Sequence, residues 1–256
     1  MQFSSMWRLK IVMLFLLMSG CGGTKNIQDQ GEDYVPDKAA TINLQLGIAY
    51  MNRMNRNDNP TAMTRLKKAV RIDPNYADAH NALAVLYERL GQKELAEQEY
   101  QIALALKPED SSIQNNYGQY LCKKGEHERA EQHFLLALDN PLYQQPEIPY
   151  TNAGMCAMRN NQLDKAENYF RKALTQNPNL APTLFQIANV AYEKKRYQDA
   201  RDYLTRYLAT TKHNSQTLWL GIRIERALHN KDAEASYAML LRSQFPDSEE
   251  TQLLNR

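Results

Sequence analysis

The chain has 256 residues, of which 43% are apolar and 23% charged, a balance that excludes a disordered chain and leaves room for one or two folded domains. Of the 31 basic residues, Arg8 and Lys10 lie in the first twenty positions with no acid beside them, and the rest balance the 29 acidic residues. A neutral remainder offers no clustered basic surface for phosphate, which excludes nucleic acid as a partner. Three cysteines are too few for a disulfide framework, and Cys21 has its own reading.

Arg8 and Lys10 precede the apolar run Ile11 to Met18, and the small residues Ser19 and Gly20 then lead to Cys21. A positive end, a short apolar stretch and a small-residue cleavage point read as a secretory signal. The run is well under the about 20 apolar residues that a spanning helix needs. Met18-Ser19-Gly20-Cys21 resembles a bacterial lipobox, with methionine where leucine is usual. That resemblance implies removal of the signal and acylation of Cys21. The competing reading is an ordinary cleaved signal with a coincidental cysteine. Gly22 follows the cysteine, and not the aspartate that resembles inner-membrane retention, so the outer membrane is favoured. Acyl chains, each buried CH₂ contributing about 0.8 kcal/mol, hold a protein to a membrane without a transmembrane helix. Residues 22–40 are polar, contain Gly and Pro and lack an apolar period, so they read as a tether with an r.m.s. span of roughly 24 Å.

From there the chain repeats itself. Alanines stand at Ala62, Ala96, Ala130, Ala166, Ala200 and Ala233, spaced 34, 34, 36, 34 and 33. Four residues after each comes Leu66, Tyr100, Phe134, Phe170, Leu204 or Tyr237. Upstream stands a small residue: Gly47, Ala84, Gly118, Gly154, Ala188 or Gly221. In a helical hairpin the two small positions let the helices approach, and the large side chain one turn later fills the gap. Pro74, Pro108 and Pro178 end second helices, since proline lacks the N–H and disfavours helix in the residue before it. Gly47 stands fifteen residues before its alanine where the other small residues stand twelve before theirs, which predicts a longer first turn through Asn55 to Pro60. The third repeat has Pro141 and Pro146 in place of a proline in register, with two extra residues before the fourth, which predicts a kink or a looser joint.

The Leu-small-x-x-Tyr runs Leu46 to Tyr50 and Leu83 to Tyr87 resemble the tetratricopeptide (TPR) pattern. The expected fold is all-α, a right-handed superhelical solenoid of six TPR helical hairpins after a signal peptide and a flexible tether. The expected boundaries are signal 1–20, acylated cysteine and tether 21–40, repeats 41–248 and a C-terminal tail 249–256. The sixth repeat is degenerate and reads as a cap, because a terminal repeat has one unpartnered face.

No catalytic or metal constellation assembles, and no cofactor is expected. His127 and His133 are six apart and so lie on different faces of a helix, and there is no glycine-rich phosphate loop. His80 occupies a position that usually packs. Cys122 and Cys156 fall in the first helices of neighbouring repeats at nearly the same depth. In an oxidising compartment they bridge if their Cα atoms approach within about 7 Å; otherwise they are two small buried residues that never meet. A metal site from two thiols with no histidine nearby is disfavoured.

The first helix of each hairpin lines the concave face used for binding. Leu44, Ile48 and Met51 are spaced i, i+4, i+7, a face separate from the packing face of Leu46, Gly47 and Tyr50. With Val85 beside them they read as an apolar groove for an amphipathic partner segment, the alternative being burial under the tether or one another. Asn116 and Asn152, with Gln45 and Gln186, recur at equivalent groove positions, where amides can pair with an extended peptide. No Lys and Arg cluster among those sites resembles the carboxylate clamp of chaperone-binding TPR proteins. Phe185 and Trp219 add apolar surface near the far end.

Asn115 to Cys122, Asn152 to Ala157 and Asn140-Pro141-Leu142-Tyr143 are similar to segments of the type IV pilus biogenesis lipoprotein family known as PilF or PilW. The resemblance implies a non-enzymatic pilotin. It would be an outer-membrane lipoprotein with its repeats in the periplasm, binding the pilus secretin and promoting its localisation and multimerisation, with no small-molecule substrate. A TPR lipoprotein that organises peptidoglycan enzymes is the alternative within this class, and an envelope enzyme the alternative outside it.

Overall fold

The computed structural model describes residues 34–53 and 58–255. Cys21, the apolar run before it, the tether as far as residue 33 and residues 54–57 of the long first turn lie outside the described residues. Among the described residues there are thirteen helices and no strand, and no helix is long and apolar enough to cross a membrane.

The helices pair as six consecutive hairpins: α1 (Lys38–Asn52) with α2 (Asn59–Ile72), α3 (Ala77–Arg89) with α4 (Lys93–Leu106), α5 (Ser111–Lys124) with α6 (His127–Leu138). Then come α7 (Glu147–Arg159) with α8 (Leu163–Gln176), α9 (Ala181–Glu193) with α10 (Tyr197–Leu208) and α11 (Ser215–Ala227) with α12 (Lys231–Gln244), closed by the short α13 (Glu249–Leu254). Each hairpin packs against the next, and odd-numbered helices are neighbours along one side, so the array is a superhelix with those helices on its inner face.

The close approach expected within each hairpin is present. A Cβ built on Gly47 would stand 2.5 Å from Leu66, and one on Gly118 would stand 2.8 Å from the Phe134 ring. The repeating alanines Ala62, Ala96, Ala130, Ala166 and Ala200 have no exposed surface, and Leu66, Tyr100, Phe134, Phe170 and Leu204 are buried with them. Four hairpin turns place one residue in the left-handed region five positions before that alanine: Gly91, Gly125, Asn161 and Lys195. Glycine adopts this conformation without a Cβ penalty, and the other two hold it because the turn requires it.

Side chains cap the starts of five of the thirteen helices. Asp37 accepts from the N–H groups of Ala39 and Ala40, Asp110 from those of Ser112 and Ile113, and Asn214 forms a capping box with Thr217. Such caps satisfy backbone donors that the first turn cannot pair, contributing about 1 kcal/mol each.

Two expected boundaries change. The tether was drawn to residue 40, but α1 begins at Lys38 and Ala40 is fully buried. The Tyr34 hydroxyl donates to Asp73 at 2.5 Å and the Asp37 N–H to the same carboxylate at 3.0 Å, which ties the segment to the end of α2. Residues 249–256 were drawn as a tail, but Glu249–Leu254 is helical, with Ser248 as its cap. Thr251 of this helix donates to the Phe245 carbonyl at 2.7 Å, and Leu254 packs on the core of Leu218, Ile222, Ala238 and Leu241. At the joint before the fourth hairpin, residues 139–146 form a longer linker, with Asn140 accepting from the Leu142 N–H. The core runs on beneath it, joining Ala130 and Phe134 to Ala153, Cys156 and Tyr169.

The sixth hairpin departs from the repeat. Ala233 and Tyr237 are only half-buried and the buried positions are Ala238 and Leu241, since no further hairpin covers them and α13 packs there instead.

Candidate functional site

The first helix of the array corrects the reading of its two faces. Leu44 and Met51 are 5% and 6% exposed and pack in the core with Ala40 and Val85, so they are not available to a partner. Ile48 is 40% exposed. Leu46, read as a packing residue, is 37% exposed, and Ile42 one turn before it is 48% exposed. The reason is positional. Leu83, Tyr117, Ala153, Ile187 and Leu220 occupy the site equivalent to Leu46 and all are buried, because a preceding hairpin covers them. Leu46 has none.

Ile48 and Val85 each follow the small residue of their hairpin and so stand at equivalent sites on neighbouring inner helices. Val85 lines a cleft with Asn116, Glu88, Arg89, Gln119 and Lys123. Asn152 lines the next cleft with Met155, Arg159 and the two cysteines, and Gln119 and Lys123 line both. Val85, Asn116 and Asn152 therefore share a continuous groove, whereas Leu44 and Met51 lie beneath its start.

The amides in this groove bond to one another. Asn116 donates to Asn81 at 3.2 Å and Asn152 to Asn115 at 2.9 Å, linking α3, α5 and α7. Amides bonded in this way, Asn115 buried and the others half-buried, hold the inner helices in register, and each keeps further donor and acceptor capacity. The sequence reading missed a row of cations. Arg89, Lys123 and Arg159 each stand five residues after the small residue of their hairpin, and each lines the groove. The signal lies in that shared register, about two turns beyond the amide positions. Arg89 donates to the Met51 carbonyl at 2.9 Å, and Lys123 pairs with Glu88 at 2.5 Å.

Below the cations lies a tyrosine cluster. Tyr100 packs against Tyr117 and Tyr120 with ring centroids 5.5 Å apart in both cases, and its hydroxyl donates to Glu88 at 3.2 Å. Burial, reinforced by Glu88, holds its phenol well above the usual tyrosine range. Tyr120 is pushed up to about 12 by burial and then by Glu97, so both rings stay neutral at physiological pH.

At the joint of the third and fourth hairpins, Cys122 and Cys156 are joined as a disulfide with Cα atoms 5.7 Å apart. The sequence reading had no histidine near them. In the structure His127, the first residue of α6, lies beside both, its Nδ1 3.5 Å from the Cys156 sulfur and 4.0 Å from that of Cys122. His133 points elsewhere, with Nδ1 2.6 Å from the Gln114 amide oxygen. His80 is buried between Glu99, at 2.6 Å, and the Pro74 carbonyl, at 3.0 Å. At the far end, Phe185 packs on Tyr207 and Trp219 on the core closed by α13, so both are partly used in packing.

Comparison with known proteins agrees with this architecture. Family models for the TPR repeat and the tetratricopeptide repeat match residues 53–91, 87–144 and 157–218. The type IV pilus assembly protein PilF of Pseudomonas aeruginosa is 32% identical over 247 residues, covering 95% of this chain and 97% of that one. The solved structure of that PilF aligns with a TM-score of 0.75 over 86% of this chain and 97% of its own. The structure of PilW, described as a widely conserved type IV pilus biogenesis factor, aligns with a TM-score of 0.80 at 29% identity, over 86% of this chain and all of that one. The chain belongs to the family of TPR proteins of type IV pilus biogenesis that PilF and PilW represent.

Proposed function

We propose that this protein is a pilotin: a lipoprotein, anchored in the outer membrane through Cys21, whose repeats stand in the periplasm and hold a segment of the pilus secretin while it multimerises. The observation that carries the reading is the match to PilF over 95% of this chain and 97% of that one. The lipobox-like run before Cys21 supports the anchor. The exposed Ile48 beside Val85, leading into a groove of amides and cations, supports the docking of an extended segment with an apolar anchor. Tethering that segment to the membrane raises its local concentration, which favours assembly without any catalytic group.

The role assigned to the groove shifts from Leu44 and Met51 to Ile48 and Val85, with Asn116 and Asn152 along its floor. The test is capture of the secretin by the tagged, lipidated protein from solubilised envelopes. Wild type is expected to bring down the secretin as its main partner, and Ile48→Asp to lose it while keeping its helical signal. Recovery of peptidoglycan enzymes in its place would replace this reading with the adaptor alternative.

A further inference from the structure

We propose that Cys122, Cys156 and His127 form, when the two sulfurs are thiols, a binding site for Zn²⁺, and that disulfide formation closes it. The three side chains come from three successive helices, α5, α7 and α6, and their ligand atoms all lie within 4.8 Å of one another. A tetrahedral Zn²⁺ with sulfur at about 2.3 Å and nitrogen at about 2.0 Å sets nitrogen–sulfur edges of about 3.5 Å and a sulfur–sulfur edge of about 3.8 Å. The His127 Nδ1 is already 3.5 Å from one sulfur and 4.0 Å from the other.

Only the sulfurs must separate. The Cα atoms, 5.7 Å apart on neighbouring helices, allow this by rotation about the Cα–Cβ bonds. Both cysteines are buried, and His127 is half-buried between them and a cleft lined by Glu128, Glu131 and Lys165. His127 and Cys156 themselves line that cleft, which offers the metal a fourth position on the solvent side. Three protein ligands and one open position is a recurring zinc arrangement.

The chemistry balances. A dithiol reductant passes two electrons and two protons to the disulfide and becomes a disulfide itself, leaving two thiols on the protein. Zn²⁺ then displaces the two thiol protons to solvent and is held by two thiolates and a neutral imidazole. The oxidised pair has no thiolate to offer, so metal and disulfide exclude each other.

The test uses the full chain in detergent, reduced with a phosphine and titrated with Co²⁺ as a spectroscopic stand-in, then with Zn²⁺ as competitor. The expected result is one Co²⁺ per chain with thiolate-to-cobalt charge-transfer absorption, displaced by Zn²⁺ and absent from the oxidised protein. His127→Ala and Cys122→Ser should each weaken binding by at least about tenfold. Circular dichroism of the reduced chain reports whether the helices persist. Equal binding by the oxidised protein, binding unaffected by His127→Ala, no stoichiometric binding, or loss of the helices on reduction would each overturn the proposal.

Discussion

The ring of Phe170 lies across the Cα of Gly154, so close that a Cβ on residue 154 would stand 2.5 Å from the ring. This contact closes the fourth hairpin and recurs as Gly118 with Phe134 in the third. Gly154→Ala must push the ring aside in a packed interior and is expected to cost about 1–3 kcal/mol. Phe170→Ala, which empties a fully buried site, should cost about 3–5 kcal/mol. Denaturant melts of the two variants check both values, and a Gly154→Ala protein as stable as wild type would contradict the close approach.

Leu44 and Ile48 are one turn apart on α1 but differ in kind. Leu44→Ala removes core and is expected to cost about 2–5 kcal/mol. Ile48→Ala, at an exposed site, should stay within about 0.5 kcal/mol of wild type. Secretin capture should follow the opposite order at a temperature where both variants are folded, with Ile48→Ala the weaker binder. Equal loss of capture would mean that the groove reading has captured only stability.

The bridge between Cys122 and Cys156 spans 34 residues of sequence. Intact-mass measurement should find the unreduced chain lighter than the reduced one by two hydrogens. Closing a loop of that length constrains the unfolded chain, so Cys122→Ser together with Cys156→Ser should lower stability by about 2–4 kcal/mol. Identical masses with and without reductant would argue against the bridge in solution.

Glu167 is the most buried acid of the fourth hairpin, facing Lys194 at 2.7 Å, Arg196 at 2.6 Å and Arg171. Burial works to raise its carboxyl pKa, but the ion pair with Arg196, the hydrogen bond from Lys194 and the charge of Arg171 outweigh it and hold the group below the usual range. A depressed carboxylate contributes stability that is fully present above its unfolded value of about 4.3 and is lost as pH falls through the lower folded value. The melting temperature should therefore fall below about pH 4, and Glu167→Gln should flatten part of that fall while costing about 2 kcal/mol at neutral pH. An unchanged acid limb in the variant would remove Glu167 from the account.

The hairpins were legible because each carries the same three-part mark. The alanine, the large residue four later and the small residue upstream report one physical contact, so spacing alone fixes the pairing of helices. The inner surface was less legible. Leu44, Ile48 and Met51 share a helical face in the sequence, but whether that face is open depends on how closely α3 approaches α1. Leu46 fits the packing pattern and is exposed because, among the described residues, no hairpin precedes its own. His127 was set aside by its spacing to His133, while its neighbours in space came from the helices on either side. The row Arg89, Lys123, Arg159 was written in the same register as the glycines and needed only to be read five residues further along.

The two ends of the array are unlike, and this gives the stack a direction. At one end α13 folds back over Leu218, Ile222 and Leu241 and occupies the place where a seventh hairpin would sit. At the other, Leu46 stands 37% exposed at the position that every later hairpin buries, with Ile42 exposed one turn before it. Two copies therefore cannot stack tail to head into a filament, because the tail has already been filled from within the chain. Among the described residues the first hairpin therefore keeps an apolar face that no other hairpin covers, so an added helical pair would extend the stack from that end.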